Sequence, residues 1–203
     1  ERLKMTRKPT SRARLDRDAV VRAASALVNT EGAEALTLNR LARELNIRPP
    51  SLYNHIENLE GLWHELSILN ATILGDRITS ASIGKSGPEG IRALASAYRA
   101  HIQEYPALYQ ASLRASGKKE NPDNRLQVAE ERVVQAVLAM VKSFGLTGTE
   151  ALHAVRMLRS MVHGFATLEV AGGFGLPLSL DESFDRLIEI TILGLQNIHT
   201  GLH

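Results

Sequence analysis

The sequence predicts an all-α fold in two parts, a three-helix N-terminal unit that contains a helix-turn-helix and a longer helical bundle behind it. Three observations carry the prediction. Apolar residues recur at i, i+3, i+4 spacing along nearly the whole chain, the alternation that a half-buried strand needs is absent, and aromatic residues make up only 4% of the 203 residues. A hydrophobic share of 44% supports one large or two modest cores and excludes a disordered chain.

The chain opens on a basic arm, Arg2, Lys4, Arg7, Lys8, Arg12 and Arg14. Residues 1–66 hold 11 Lys+Arg against 9 Asp+Glu and the remainder holds 13 of each, so the formal net charge of +2 lies wholly in the N-terminal part. Such an arm is either a solvated tail or a segment that lies along DNA or enters a minor groove. The first helix should begin near Asp16 or Asp18, which can cap it and complement its dipole. Val20, Ala24, Leu27 and Val28 form its buried stripe, and Gly32 stops it.

Residues 37–66, TLNRLARELNIRPPSLYNHIENLEGLWHEL, organise everything around them. Leu38, Leu41, Ala42 and Leu45 keep helical spacing, stop at Asn46-Ile47-Arg48, and the pattern resumes at Leu52 and Ile56. Thr37 suits the N-cap, Asn46 tolerates the left-handed conformation of a short interhelical turn, and Pro49-Pro50 suits a helix start whose first N–H groups lack partners. The second helix turns Pro49, Pro50, Ser51, Tyr53, Asn54 and His55 outward, a polar and aromatic face without a carboxylate. A face of that kind can approach a phosphate backbone, and a helix-turn-helix offers it to the major groove. Leu59, Leu62, Trp63, Leu66, Leu69 and Ile73 then make one long stripe, so a fourth helix leads out of this unit and links it to the next. Trp63 is most simply a core residue at the junction.

Glycines and a proline between 80 and 90 mark a break, and Pro88 opens a helix carrying Leu94, Tyr98, Ile102 and Tyr105 that Pro106 interrupts. A short helix follows around 108–116, a loop over 117–124, and a helix over 124–144 that ends at Gly145. Thr147 or Thr149 can cap the next helix, which runs to about Ala171 before the turn GGFGLP. That helix and the last one, 184–198, carry more apolar residues than one stripe can use. Helices of this kind are covered on two sides, by their own core and by a partner, with Ile192 expected on the outward side.

Other chemistry finds little support. There is no cysteine for a disulfide or thiolate site, which suits a reducing cytoplasm. No apolar run is long enough to span a membrane, and Arg22 breaks the segment after the basic N-terminus, so neither a membrane anchor nor a signal peptide is expected. His153 and His163 do not share a helix face and no His-x-x-x-His or Glu-x-x-His pair occurs, so neither a metal nor a cofactor is expected. Phosphate loops, nucleophile elbows and catalytic residues of a recognisable pattern are also missing.

The segment 16–66 resembles the DNA-binding domain of TetR-type transcriptional repressors. The residues that carry the resemblance are Ala42, the turn at Asn46 to Arg48, Leu52-Tyr53-Asn54-His55 and Leu62; the chain departs from the pattern at Leu59, where that family carries a phosphate-facing lysine. Leu59 therefore either faces DNA, which its place at a helix N-terminus beside Tyr53 and His55 favours, or extends the buried stripe toward Leu62 and Trp63. Residues 159–169, RSMVHGFATLE, with the following Gly-Gly-Phe and the Tyr-Pro-x-Leu-Tyr segment at 105–109, resemble the C-terminal half of a TetR subgroup named for a Trp-His-Gly motif, Arg159 standing at the tryptophan position. The resemblance implies a DNA-binding domain at 1–66 and an effector-binding and dimerisation domain at 67–203, whose last two helices form a four-helix bundle between two copies.

Candidate DNA contacts are Asn39, Arg40, Pro49, Pro50, Ser51, Tyr53, Asn54 and His55. Tyr98, His101, Tyr105, Tyr109, Phe144, Met157, Met161, His163 and Phe165 are suited to an apolar pocket with a few polar tips, although each is equally at home in a core. His163 reads first as a hydrogen-bonded interior histidine, with Gly164 allowing another helix to come close. These readings converge on a ligand-responsive regulator of a double-stranded DNA operator, a homodimeric cytoplasmic repressor released by a small apolar or aromatic effector. The alternative is a helical-bundle enzyme or small-molecule binding protein whose basic arm is incidental.

Overall fold

The computed structural model describes residues 15–115 and 123–198; the basic arm lies outside them. The described residues form helices α1 (Arg17–Glu31), α2 (Leu38–Glu44), α3 (Pro49–Leu52), α4 (Leu59–Ser82), α5 (Gly87–Glu104), α6 (Pro106–Ala115), α7 (Arg125–Lys142), α8 (Gly148–Val170) and α9 (Leu180–Asn197), with a 3-10 turn at Ala33–Ala35 and no strand.

Local chemistry sets most of the boundaries. The Asp16 carboxylate accepts from the Ala19 N–H at 2.7 Å, the Thr37 hydroxyl from Arg40 at 3.1 Å and the Asn58 side chain from Gly61 at 2.8 Å. Each satisfies an amide that the first helical turn would otherwise leave unpaired. Gly32 ends α1 at φ 88°, and Asn46 turns the chain between α2 and α3 at φ 53°. Two boundaries differ from expectation. The second helix of the motif is only four residues long, because Tyr53, Asn54 and His55 already donate to carbonyls three residues back, tightening the chain into turns. Helix α9 starts at Leu180 instead of 184, since Ser179 caps it and its polar first turn, Asp181 and Glu182, has no apolar periodicity to reveal it.

Two hydrophobic cores result. The smaller gathers Val20, Ala24, Leu27, Leu41, Leu52, Ile56, Leu62 and Leu66, and the larger gathers Leu74, Ile78, Leu94, Ile102, Val141, Leu158, Val162, Phe184 and Ile188. Helix α4 contributes to both, as its continuous stripe requires. It does not do so alone: on α6, Leu108 is fully buried in the smaller core and Tyr109 in the larger. Asn29 of α1 accepts the Leu108 N–H at 3.3 Å, which fastens α6 to the first helix. The buried Glu65 carboxylate adds a polar tie, taking Arg17 from α1 and Arg125 from the start of α7.

The last two helices leave apolar residues in the open, Leu152, Leu168 and Val170 on α8, and Ile190 and Leu193 on α9 at 67% and 58% exposure. Ile192, expected to face outward, is 3% exposed and belongs to the core. The reason is angular: Ile188, Ile192 and Leu195 share the inward stripe at three- and four-residue spacing, which puts residues 190 and 193 on the other side. Among the described residues no other helix presses on Gly164, where an added Cβ would meet nothing within 4 Å.

Candidate DNA-binding face and effector cavity

The turn at Asn46 packs α3 against α2, with Leu52 inserted into the small core as its anchor. Opposite that anchor, Asn39, Pro49, Pro50, Tyr53 and Asn54 are exposed, Tyr53 at 58%, and Ser51 and His55 are half-buried at the edge of the same surface. Arg40 is held differently. Its guanidinium bonds Glu31 and Glu44, the latter at 2.9 Å, and these hydrogen bonds raise its pKa further. Arg43 and Arg48 are exposed and carry no ion pair among the described residues. Arg48 precedes α3 directly, a free cation that reading the helix face alone had left out. Leu59, the first residue of α4, is half-buried and packs on the small core with Trp63, which corrects the favoured DNA-facing reading: its three- and four-residue spacing to Leu62 and Trp63 puts it on the buried stripe.

In the second unit, α4, α5, α6, α7 and α8 enclose a cavity of about 360 Å³. Its walls are mostly apolar, including Leu74, Ile78, Leu94, Val133, Val137, Val155 and Leu158. Polar groups enter at three places: Ser67, Asn70 and Ser112, then Tyr98, Tyr109 and Arg159, and finally Gln127, Glu130 and Glu131 of α7. That composition and size belong at the small end of small-molecule sites, which run from about 300 to 1,000 Å³.

Two hydrogen-bonded relays support the polar lining. The Tyr98 and Tyr109 hydroxyls are 2.8 Å apart, and the Tyr109 hydroxyl is 3.0 Å from Nδ1 of His163. In the other relay His101 Nε2 lies 2.9 Å from Asn70 Oδ1, Asn70 donates to Ser112 at 2.9 Å, and Ser112 donates to the Tyr109 carbonyl at 2.7 Å. Burial, reinforced by the Arg77 charge, pushes the His101 imidazole down to about 4. Burial and then the Arg159 charge lower His163 as well, and burial raises both tyrosines. The polar lining is thus neutral around pH 7 except for Arg159 and the carboxylates of α7.

Of the residues proposed from sequence for a pocket, Tyr98 and Tyr109 line this cavity, and His101 and His163 stand one hydrogen bond behind it. The others lie elsewhere. Tyr105 packs on the small core beneath the Arg77 guanidinium, Phe144 and Met161 pack at the margin of the large core, and Met157 is 40% exposed. Phe165 stacks with Phe174 and Phe184, with Arg99 over its ring. Sequence reading missed Asn70, Ser112 and Arg159 as lining residues. The available signal for Arg159 was its place four residues from Val155 and four from His163, a lone charge within an inward stripe.

A helix-turn-helix with an exposed recognition segment, joined through two shared helices to a bundle with a cavity, defines a class of helical DNA-binding regulators. Comparison with known proteins makes the assignment. Residues 91–191 match the family described as tetracyclin repressor-like, C-terminal domain. The chain is 31% identical over 177 residues to the uncharacterised HTH-type transcriptional regulator YobS of Bacillus subtilis, spanning 87% of this chain and 90% of that one. It is also 31% identical over 160 residues to the regulator Rv0681 of Mycobacterium tuberculosis, 79% of this chain and 72% of that one. Among solved structures, a Rhodococcus protein of unknown function superimposes with a TM-score of 0.78 at 19% identity, over 93% of this chain and all of that one. A TetR variant of Acinetobacter baumannii in complex with minocycline gives 0.69 at 21% identity, over 92% and 99% of the two chains. The chain belongs to the TetR family of helix-turn-helix transcriptional regulators.

Proposed function

We propose that the protein is a homodimeric repressor that leaves a pseudo-palindromic operator when a small apolar or aromatic molecule enters the cavity between α4 and α8. In this reading residues 1–66 contact DNA and residues 67–203 sense the effector and dimerise, in the cytoplasm; no helix among the described residues is long and apolar enough to cross a membrane. Tyr53, His55 and Arg48 would meet phosphates, and Ser51, Asn54 and Asn39 base edges. The exposed apolar residues of α8 and α9 would be covered by the same helices of a second copy.

The observation that carries the reading is the double membership of α4 and α6. Asn70 and Ser112 line the cavity, while Leu66 and Leu108, on the same two helices, sit in the small core that supports α3. A ligand that spreads α4 from α6 also moves the scaffold of the recognition segment, and two recognition helices displaced from their half-site spacing lose simultaneous contact. The effector must bind the DNA-free arrangement better, and the coupling must be reciprocal, typically about 1–3 kcal/mol. A mobility-shift assay with the DNA flanking the protein's own gene tests this: retardation of that DNA over random DNA, weakened by a cavity ligand, is expected. Equal affinity for both DNAs would overturn it.

A further inference from the structure

Arg159 is the cationic side chain lining the cavity, and no carboxylate pairs with it among the described residues. Every polar neighbour on its side is already committed. The Tyr109 hydroxyl lies between Nδ1 of His163 and the Tyr98 hydroxyl, within hydrogen-bond distance of both, so these three groups are engaged with one another. Burial raises the Tyr98 pKa, opposed by the Tyr109 hydrogen bond and then by the charge and hydrogen bonding of the nearby Arg159 guanidinium. Its charge is also felt by Tyr109 and His163. At the tyrosine end of the cavity the cationic N–H groups that can meet a ligand therefore belong to Arg159.

The carboxylates of α7 do not compete on equal terms. Glu131 accepts from Gln135 at 3.3 Å, and Glu130 already has a partner. Both lie on α7. The geometry points to an effector that is an apolar organic acid, its carboxylate held by Arg159 beside Tyr98 and its hydrocarbon body lying along Leu74, Val137 and Leu158. A planar guanidinium matches a carboxylate bidentately, and in a mostly apolar cavity such charge-assisted bonds are among the strongest available. This inference rests on the reading of the cavity as the effector site and names the chemistry that the site selects.

The test uses three probes with one tail and different heads, decanoate, decanol and decylamine, each titrated below its micelle concentration against the intact protein. Displacement of the neutral dye Nile red, checked by calorimetry, reports binding. Decanoate should bind at least about tenfold more tightly than decanol. Arg159→Leu should erase that preference; its melting curve establishes that it folds, and if it does not, the wild-type comparison decides alone. Equal binding of decanoate and decanol, tighter binding of decylamine through Glu130 and Glu131, or a carboxylate preference that survives Arg159→Leu would overturn the inference and leave the cavity reading standing. If none of the three binds, the cavity reading falls and the inference falls with it.

Discussion

Leu108 and Tyr109 are consecutive residues of α6, and their side chains belong to different hydrophobic cores. One supports the helix-turn-helix. The other carries the hydroxyl that joins Tyr98 to His163 beside the cavity. No side-chain relay is needed between the two units, because a rotation of one helical turn moves both residues together.

Leu108→Ala should therefore act on the DNA-binding side. It removes a fully buried side chain from the small core and should destabilise the protein by about 2–5 kcal/mol. The loss should fall first on α1 to α3. Hydrogen exchange would register it as faster opening of those helices, with α8 and α9 unchanged; uniform loss of protection would contradict the division into two cores.

The recognition surface predicts a separation between affinity and specificity. Arg48→Gln should weaken binding to operator and random DNA alike and make the salt dependence shallower by about one unit. Asn54→Ala should relax the preference at one position per half-site, at a cost of about 1–3 kcal/mol on the preferred base. Fluorescence anisotropy over a salt series, with a set of single-base operator variants, separates the two effects. An unchanged salt slope for Arg48→Gln would remove that residue from the interface.

The proposed dimer interface is tested at two positions of α9. Ile190→Glu places a charge on the outward face and should give a folded monomer by sedimentation, because the carboxylate stays in water only when the partner is absent. Ile192→Glu instead buries a carboxylate in the chain's own core and should lower the melting temperature sharply. If Ile190→Glu still sediments as a dimer, the outward side of α9 is not the interface.

His101 gives the stability a pH dependence whose sign is determined. Its folded pKa, about 4, lies below the unfolded value of 6.5, so between them the unfolded chain binds the extra proton. Stability from this group is full above 6.5 and is lost as pH falls toward 4, by about 3 kcal/mol at the end of the window. His163, lowered in the same direction, adds to it. Chemical denaturation of wild type and His101→Gln at pH 7 and pH 4.5 should show a smaller acid loss in the variant. Equal losses would mean that the buried imidazole is protonated at no cost.

What the sequence by itself determined was everything encoded within a turn or two of chain. Asp16, Thr37, Gly32 and Asn46 mark helix ends because capping and left-handed turns are satisfied by a side chain three residues away or by the residue's own backbone. The helix-turn-helix was legible for the same reason, as was the excess of apolar surface on α8 and α9. Tertiary structure decided which side of each stripe meets which core. That depends on helix crossings between residues such as Asn29 and Leu108 or Tyr109 and His163, which lie 79 and 54 positions apart. So Ile192 turned inward, Leu59 settled on the small core, Met157 and Phe165 stood away from the cavity, and Arg159 entered it. Periodicity reports that a side chain has an inside to face, and only packing says what is waiting there.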